Sequence, residues 1–203
     1  MKMLDRQIEN LQKPVGALQA KRIMVLGACC AFGRSMSRAL SAAGAQVVAA
    51  DADAQALGQL SDAVPLTLKG APEEALRRVG RVWGEARLDA VLNLMPLRHP
   101  EQIDLNIAVL QGIVQGFMPA LSLSGGQILT VVSRPEQPLD VAGGAMAPAI
   151  LSAQTALAHA LRRDGLTLNT VSVGAGVVTP ARKTVIGLLS GTLGPLTGSE
   201  VRL

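Results

Sequence analysis

The residues best suited to chemistry lie in the first third of the chain. Lys21–Leu26 (KRIMVL) reads as a strand and runs into Gly27-Ala28-Cys29-Cys30-Ala31-Phe32-Gly33. Small residues in such a turn let the backbone approach a pyrophosphate. The helix behind it offers N–H groups and the positive end of its dipole. Asp51 closes the next strand, where a carboxylate can accept hydrogen bonds from ribose hydroxyls. Strand, turn, helix, strand and acid in this order predict a dinucleotide site on Gly27, Ala31, Phe32, Gly33 and Asp51. The competing reading keeps the turn as a fold element only. A carboxylate at Asp51 repels a 2′-phosphate, so the expected dinucleotide is NAD.

Other reactive side chains form no constellation. Cys29 and Cys30 are the only cysteines, adjacent and small enough for a tight turn. A reactive thiol at a helix N-terminus is the sharper alternative for them. His99 and His159 stand far apart, with no cysteine or carboxylate at metal-ligand spacing, so no metal site is expected.

The elements that must position these groups follow a regular beat. Helical patterns near Phe32–Ala43, Ala54–Leu60, Pro72–Trp83, Ile103–Leu121, Ala147–Arg163 and Arg182–Ser190 alternate with apolar runs. Those runs are Gln46–Ala50, Val64–Leu68, Leu88–Asn93, Gln127–Val132, Leu166–Val173 and Glu200–Leu203. Strands separated by helices, several of them continuously apolar, predict a parallel sheet covered on both faces. The expected fold is α/β: a three-layer, doubly wound Rossmann-type sheet of about seven strands. Residues 21–203 form its one domain. Residues 1–20 precede it as an extension, with Leu4, Ile8 and Leu11 on one helical face before Pro14.

Bulk composition narrows the function classes. At 203 residues, with 49% hydrophobic and 17% charged, the chain suits one folded domain with a full core. A net charge of only +4 with this apolar content excludes a disordered chain. The pI of about 9.6 raises nucleic-acid binding. Yet Arg77, Arg78 and Arg81 interleave with Glu73, Glu74 and Glu85, and only Phe32, Trp83 and Phe117 could stack on bases. No nucleic-acid partner is expected. Leu105–Ser133 and Val141–Leu161 are uncharged and long enough for membrane spans, but polar and Gly-Pro breaks fit buried elements of a sheet better. The N-terminus lacks the apolar run of a signal peptide, so a cytoplasmic protein without membrane association is expected.

In the order of its motifs the sequence resembles the short-chain dehydrogenase/reductase family. Gly27 and Gly33 match the first and last glycines of that family's T-G-x-x-x-G-[IL]-G turn, with Ala31 in place of the middle glycine and Leu26 in place of the threonine. Leu88-Asp89-Ala90-Val91-Leu92-Asn93 is similar to its I-D-x-L-V-N, followed here by Leu94-Met95-Pro96 where the family has N-A-G. Leu105-Asn106-Ile107 through Leu121 looks like its central helix, and Gly126–Ser133 like the strand that ends in its catalytic serine. Leu166–Asn169 and Thr197-Gly198 complete the series. The resemblance implies that Asn93 belongs to the cofactor site and that Ser133 falls on the serine position. It also sets Lys69 where an acid usually stands near adenine, and Pro96 where a loop lies along the cofactor.

The family's reaction needs a Tyr-x-x-x-Lys pair, in which the phenol transfers a proton and the lysine lowers its pKa. Those positions fall on Gly143 and Ala147, and the chain contains no tyrosine and no lysine between Lys69 and Lys183. Thirteen positions separate Asn93 from Asn106, fewer than in the family, and Thr179-Pro180 leads almost directly into a helix. The substrate lid is thus expected to be missing. No catalytic residue is assigned. The expected protein is a catalytically inactive subunit with a structural or regulatory role, a homo-oligomer or a hetero-oligomer with an active family member. An atypical NAD(H)-dependent oxidoreductase and a non-catalytic dinucleotide sensor are the alternatives.

Overall fold

The computed structural model describes residues 16–134, 141–174, 178–194 and 196–203. Seven parallel strands run β1 (Arg22–Leu26), β2 (Gln46–Asp51), β3 (Val64–Thr67), β4 (Ala90–Asn93), β5 (Gln127–Ser133), β6 (Thr167–Val173) and β7 (Ser199–Arg202). Their order across the sheet is β3-β2-β1-β4-β5-β6-β7. The reversal between β1 and β4 makes the cleft at their carboxyl ends the position where such sheets bind ligands. The expected doubly wound architecture is therefore present.

Helices α1 (Ala31–Ala42), α2 (Ala54–Leu57), α3 (Pro72–Trp83), α4 (Met95–Arg98), α5 (Ile103–Ser122), α6 (Val141–Ala160) and α7 (Val178–Ser190) connect the strands. Two apolar layers result because alternate strand residues face opposite ways. Ile23, Val25, Ala49, Leu92, Leu129 and Val171 share one core with Met36 and Leu40 of α1 and Val185 and Leu189 of α7. Met24, Leu26, Val91, Ile128 and Leu168 share the other with Leu76 of α3, Ile113 and Phe117 of α5, and Ala158 of α6.

Helix α5, with Asp104 its one charged residue, is long and apolar enough to cross a membrane, yet Val109, Leu110, Ile113 and Phe117 lie in this second core. Its glycines meet α3 backbone to backbone. A Cβ on Gly80 would lie 2.0 Å from the Gly116 carbonyl oxygen, and one on Gly116 would lie 2.7 Å from that of Leu76. Two helices can approach this closely only where neither carries a side chain at the crossing.

Several boundaries differ from the sequence pattern. Helix α6 starts at Val141 rather than near Ala147, and its last predicted turn is a separate 3-10 turn at Arg162–Asp164. Helix α7 begins at Val178, taking in Thr179 and Pro180. Proline is compatible with a first helical turn, where its missing N–H has no acceptor to lose. The packed chain also starts before Lys21. Leu18 is fully buried and its N–H donates to the Ala43 carbonyl at 3.0 Å. The helical reading at Leu4, Ile8 and Leu11 lies outside the described residues.

Candidate functional site

The glycine turn is shaped by two close approaches. Gly27 has φ +73°, a left-handed conformation that favours glycine, and a Cβ there would lie 3.0 Å from the Leu94 carbonyl carbon. At Gly33 a Cβ would lie 2.6 Å from the Gly27 carbonyl oxygen, so the first turn of α1 rests directly on the loop. Cys30 caps α1, its Sγ accepting the Gly33 N–H at 3.2 Å. The N–H groups of Ala31 and Phe32 belong to the first turn and have no acceptor within the helix. Ala31 is exposed, while Phe32 packs against the core. This half of the site suits a pyrophosphate.

The ribose half is built differently. Asp51 is only 2% exposed. Its Oδ2 accepts the Cys29 N–H at 3.0 Å, and its Oδ1 accepts the Ala52 N–H at 2.8 Å. The Arg98 Nε lies 3.3 Å from the same Oδ1. Arg98 arrives there because Met95–Arg98 folds as one helical turn just after β4, with Pro96 buried at its start. The arginine thus neutralises the acid and closes it to solvent. A ribose diol would find this carboxylate already occupied by the protein's own donors, so the residues present do not fit the whole dinucleotide.

Asn93 faces inward. Its Nδ2 donates to the Thr130 Oγ1 at 3.4 Å, and its Oδ1 accepts the Met95 N–H at 3.2 Å. Thr130 also receives the Gln154 Nε2 at 2.9 Å, and the Gln154 Oε1 accepts from the Thr170 hydroxyl. Asn93, Thr130 and Thr170 occupy one register row across β4, β5 and β6. All four side chains are buried. The result is a satisfied polar chain through the core.

At the positions that the sequence resemblance assigns to catalysis, Ser133 ends β5 and is half-buried, while Ala147 packs with Val132, Met146 and Ile150. Gly143 falls within α6. Asn106 is fully buried, its Nδ2 donating to the His99 and Gln102 carbonyls at 2.8 Å each. It holds the entry to α5. Lys69 is exposed.

The two thiols are shifted away from reactivity. Burial and the neighbouring Asp51 push the Cys29 thiol up to about 11, and burial pushes Cys30 upward too. Burial and the Arg98 charge lower His99. His159 is exposed on α6. Among the described residues, no three of His, Cys, Asp and Glu gather as a metal site.

Two residues central to this geometry, Arg98 and Gln154, carried no signal in the sequence. Arg98 meets a carboxylate 47 positions away, a contact only the fold creates. Gln154 sits in an uncharged helix pattern whose inward face is not marked by periodicity.

The class this geometry defines is a doubly wound α/β domain with a glycine turn at its switch point. No family model and no curated protein matches the sequence. Solved structures do match the backbone. Pseudomonas aeruginosa RhlG, described as an NADP active-site complex, is 20% identical with TM-score 0.80, covering 95% of this chain and 98% of RhlG. The citronellol catabolism dehydrogenase AtuB of the same species is 18% identical with TM-score 0.77, covering 93% and 95%. A Burkholderia xenovorans structure bearing the short-chain dehydrogenase/reductase designation is 18% identical with TM-score 0.77, covering 93% and 96%. The chain has the short-chain dehydrogenase/reductase fold.

Proposed function

We propose that this chain is a non-catalytic member of the short-chain dehydrogenase/reductase family. It acts as a structural or regulatory subunit, pairing with itself or with an intact member of that family. Helix α6 carries the argument. It stands where the family's proton donor and its lysine are borne, yet its one ionisable side chain is His159, at the far end. A phenol or equivalent acid is needed to move the proton to or from a substrate oxygen. The chain has none.

The outer faces of α5 and α6 favour assembly. Gln111, Gln115 and Pro119 are exposed on α5, and Gly144, Pro148, Ser152, Thr155 and Ala156 on α6. Between Asp104 at the start of α5 and His159 near the end of α6 these faces carry no ionisable side chain, which resembles the depleted-charge centre of a protein interface more than a solvated surface. Cytoplasmic residence accords with this reading.

Native purification with mass determination and mass spectrometry of any companion tests it. The expected result is a dimer, a larger homo-oligomer or a complex with a complete dehydrogenase, and no hydride transfer by this chain alone. A lone monomer, or turnover with NAD(H) or NADP(H), overturns it.

A second reading, a dinucleotide sensor, draws on the pyrophosphate-sized half of the site and on RhlG, which is described with NADP. It predicts binding without turnover and a change of assembly on binding.

A further inference from the structure

The charge surplus of the chain is not spread evenly. Among the described residues, Arg77, Arg78, Arg87, Arg98, Arg134 and Arg202 each face a carboxylate. Among the same residues Arg34, Arg38 and Arg182 face none, and they converge on one groove of about 410 Å³ between α1 and α7, where Arg34 also donates to the Cys29 carbonyl. Arg34 and Arg38 are exposed one helical turn apart on α1, a spacing at which like charges repel. Arg182 brings a third guanidinium from α7, its Nη1 3.5 Å from the Ser35 hydroxyl. No acidic residue lines the groove, and Ala39 forms part of its floor.

Three positive groups gathered on a concave wall without a counter-charge raise one another's energy. An anion that bridges them removes that cost. We infer that this groove is a binding site for a phosphate-bearing small molecule, built on side chains outside the glycine turn that it adjoins. The guanidinium fork matches phosphate oxygens in pairs, and a wall of one sign concentrates such ligands. The volume lies in the range of small-molecule sites, whereas an extended acidic polypeptide would need a longer track. Ala31, the first residue of α1, lines this groove, whereas Gly27, Phe32 and Asp51 do not. The groove thus adjoins the glycine turn at Ala31 while its guanidinium groups stand outside that turn, and its occupancy does not depend on the assembly proposed above.

Calorimetric titration of the full chain with inorganic phosphate, pyrophosphate and ribose 5-phosphate tests the site. The comparison chains are Arg38→Gln/Arg182→Gln and, as an exposed control elsewhere, Arg163→Gln. Saturable binding is expected, weakened at least about tenfold in the double variant and unchanged in the control. Tighter binding of ribose 5-phosphate than of pyrophosphate identifies an organic phosphate as the ligand, and the reverse order identifies a free one. Equal weakening in all chains, no saturable binding, or preference for poly-glutamate over every phosphate overturns the site. Circular dichroism of the double variant separates lost binding from lost fold. Because both substitutions lie on the surface side of their helices, the fold is expected to persist.

Discussion

The Arg98 guanidinium lies 3.3 Å from the Asp51 carboxylate, so the acid at the end of β2 is already paired within the chain. In sequence, that acid reads as the residue that selects an unphosphorylated ribose. In the fold it is a buried ion-pair partner that also holds the Cys29 and Ala52 N–H groups. Removing the arginine would return its outer edge to solvent. Arg98→Ala is therefore expected to bind NAD about tenfold more tightly than the parent chain, the value of one charge-assisted hydrogen bond. Equal weak binding by both chains would refute a blocking role for Arg98. Asp51→Asn serves as the control, since it should gain nothing.

The thiols of the turn offer a second check on this geometry. Cys29 is held up to about 11 by burial and by Asp51, so at neutral pH the nucleophilic thiolate is scarce. Cys30 is shifted in the same direction by burial, and its sulfur accepts the Gly33 N–H. Titration with a chromogenic disulfide at pH 7 is expected to be slow for the folded chain and fast after denaturation. Reactivity should rise only as pH approaches the alkaline range. Rapid native labelling at pH 7 would contradict the arrangement.

Most of the fold was legible because it rests on local pattern. The runs at Ile23–Leu26 and Val47–Ala50 are apolar on both faces, as central parallel strands must be. Pro72–Trp83 shows its stripe between Pro72 and Gly84, and its limits agree with the pattern. The turn was legible for the same reason, since Gly27 and Gly33 answer to steric demands of the backbone itself. Asn93 and Asp51 were placed correctly at strand ends, but the direction of their side chains depends on distant partners. Met95–Arg98 was not seen as a helix because a single turn has no period. The start of α6 was misplaced because glycine and alanine at Ala142–Ala145 carry no apolar contrast.

The contact between α3 and α5 gives a stability prediction. A methyl on Gly80 would fall 2.0 Å from the Gly116 carbonyl oxygen, inside any permitted contact, and the obstacle is backbone. Gly80→Ala gains helix propensity of up to about 1 kcal/mol. Forcing the two helices apart costs about 1–3 kcal/mol or more, and loosens the packing of Leu76 against Phe117. The net effect is expected to be destabilising, seen as a lower urea midpoint. Gly84→Ala, where the added methyl meets nothing within 4 Å but φ is +61°, isolates backbone strain from steric clash.

Gln154 ties β5 and β6 together from within α6. Replacing it with alanine leaves the Thr130 and Thr170 hydroxyls without their shared partner in a region closed to water. Each buried group left unpaired costs about 1–3 kcal/mol. Gln154→Ala is expected to lower the unfolding free energy by about 2–4 kcal/mol once the cavity is included. Adding Thr170→Val should recover part of the loss, because its unpaired hydroxyl goes with the substitution, while the Thr130 hydroxyl keeps the bond from the Asn93 Nδ2. If the double variant is no more stable than Gln154→Ala, the polar chain does not act as a unit. Denaturant titration of the series decides this.

Glu200 on β7 makes stability depend on acid. Burial works to raise its carboxyl, but hydrogen bonds from Arg134, Ser172 and Arg202, with the Arg134 charge, outweigh it and hold the group near a pKa of about 2. The ordinary value is 4.5. A carboxyl depressed in the folded state releases its proton more readily there than in the unfolded chain. Its contribution is therefore complete above about 4.5 and fades as pH falls toward about 2. Denaturation midpoints measured across this window should decline for the parent chain and decline less for Glu200→Gln. At pH 7 the same variant should be the less stable of the two, since Arg134 then lacks its carboxylate. Convergence of the two curves at low pH assigns the difference to this carboxyl. Parallel curves would show that the Arg134–Glu200 pair adds nothing to the fold.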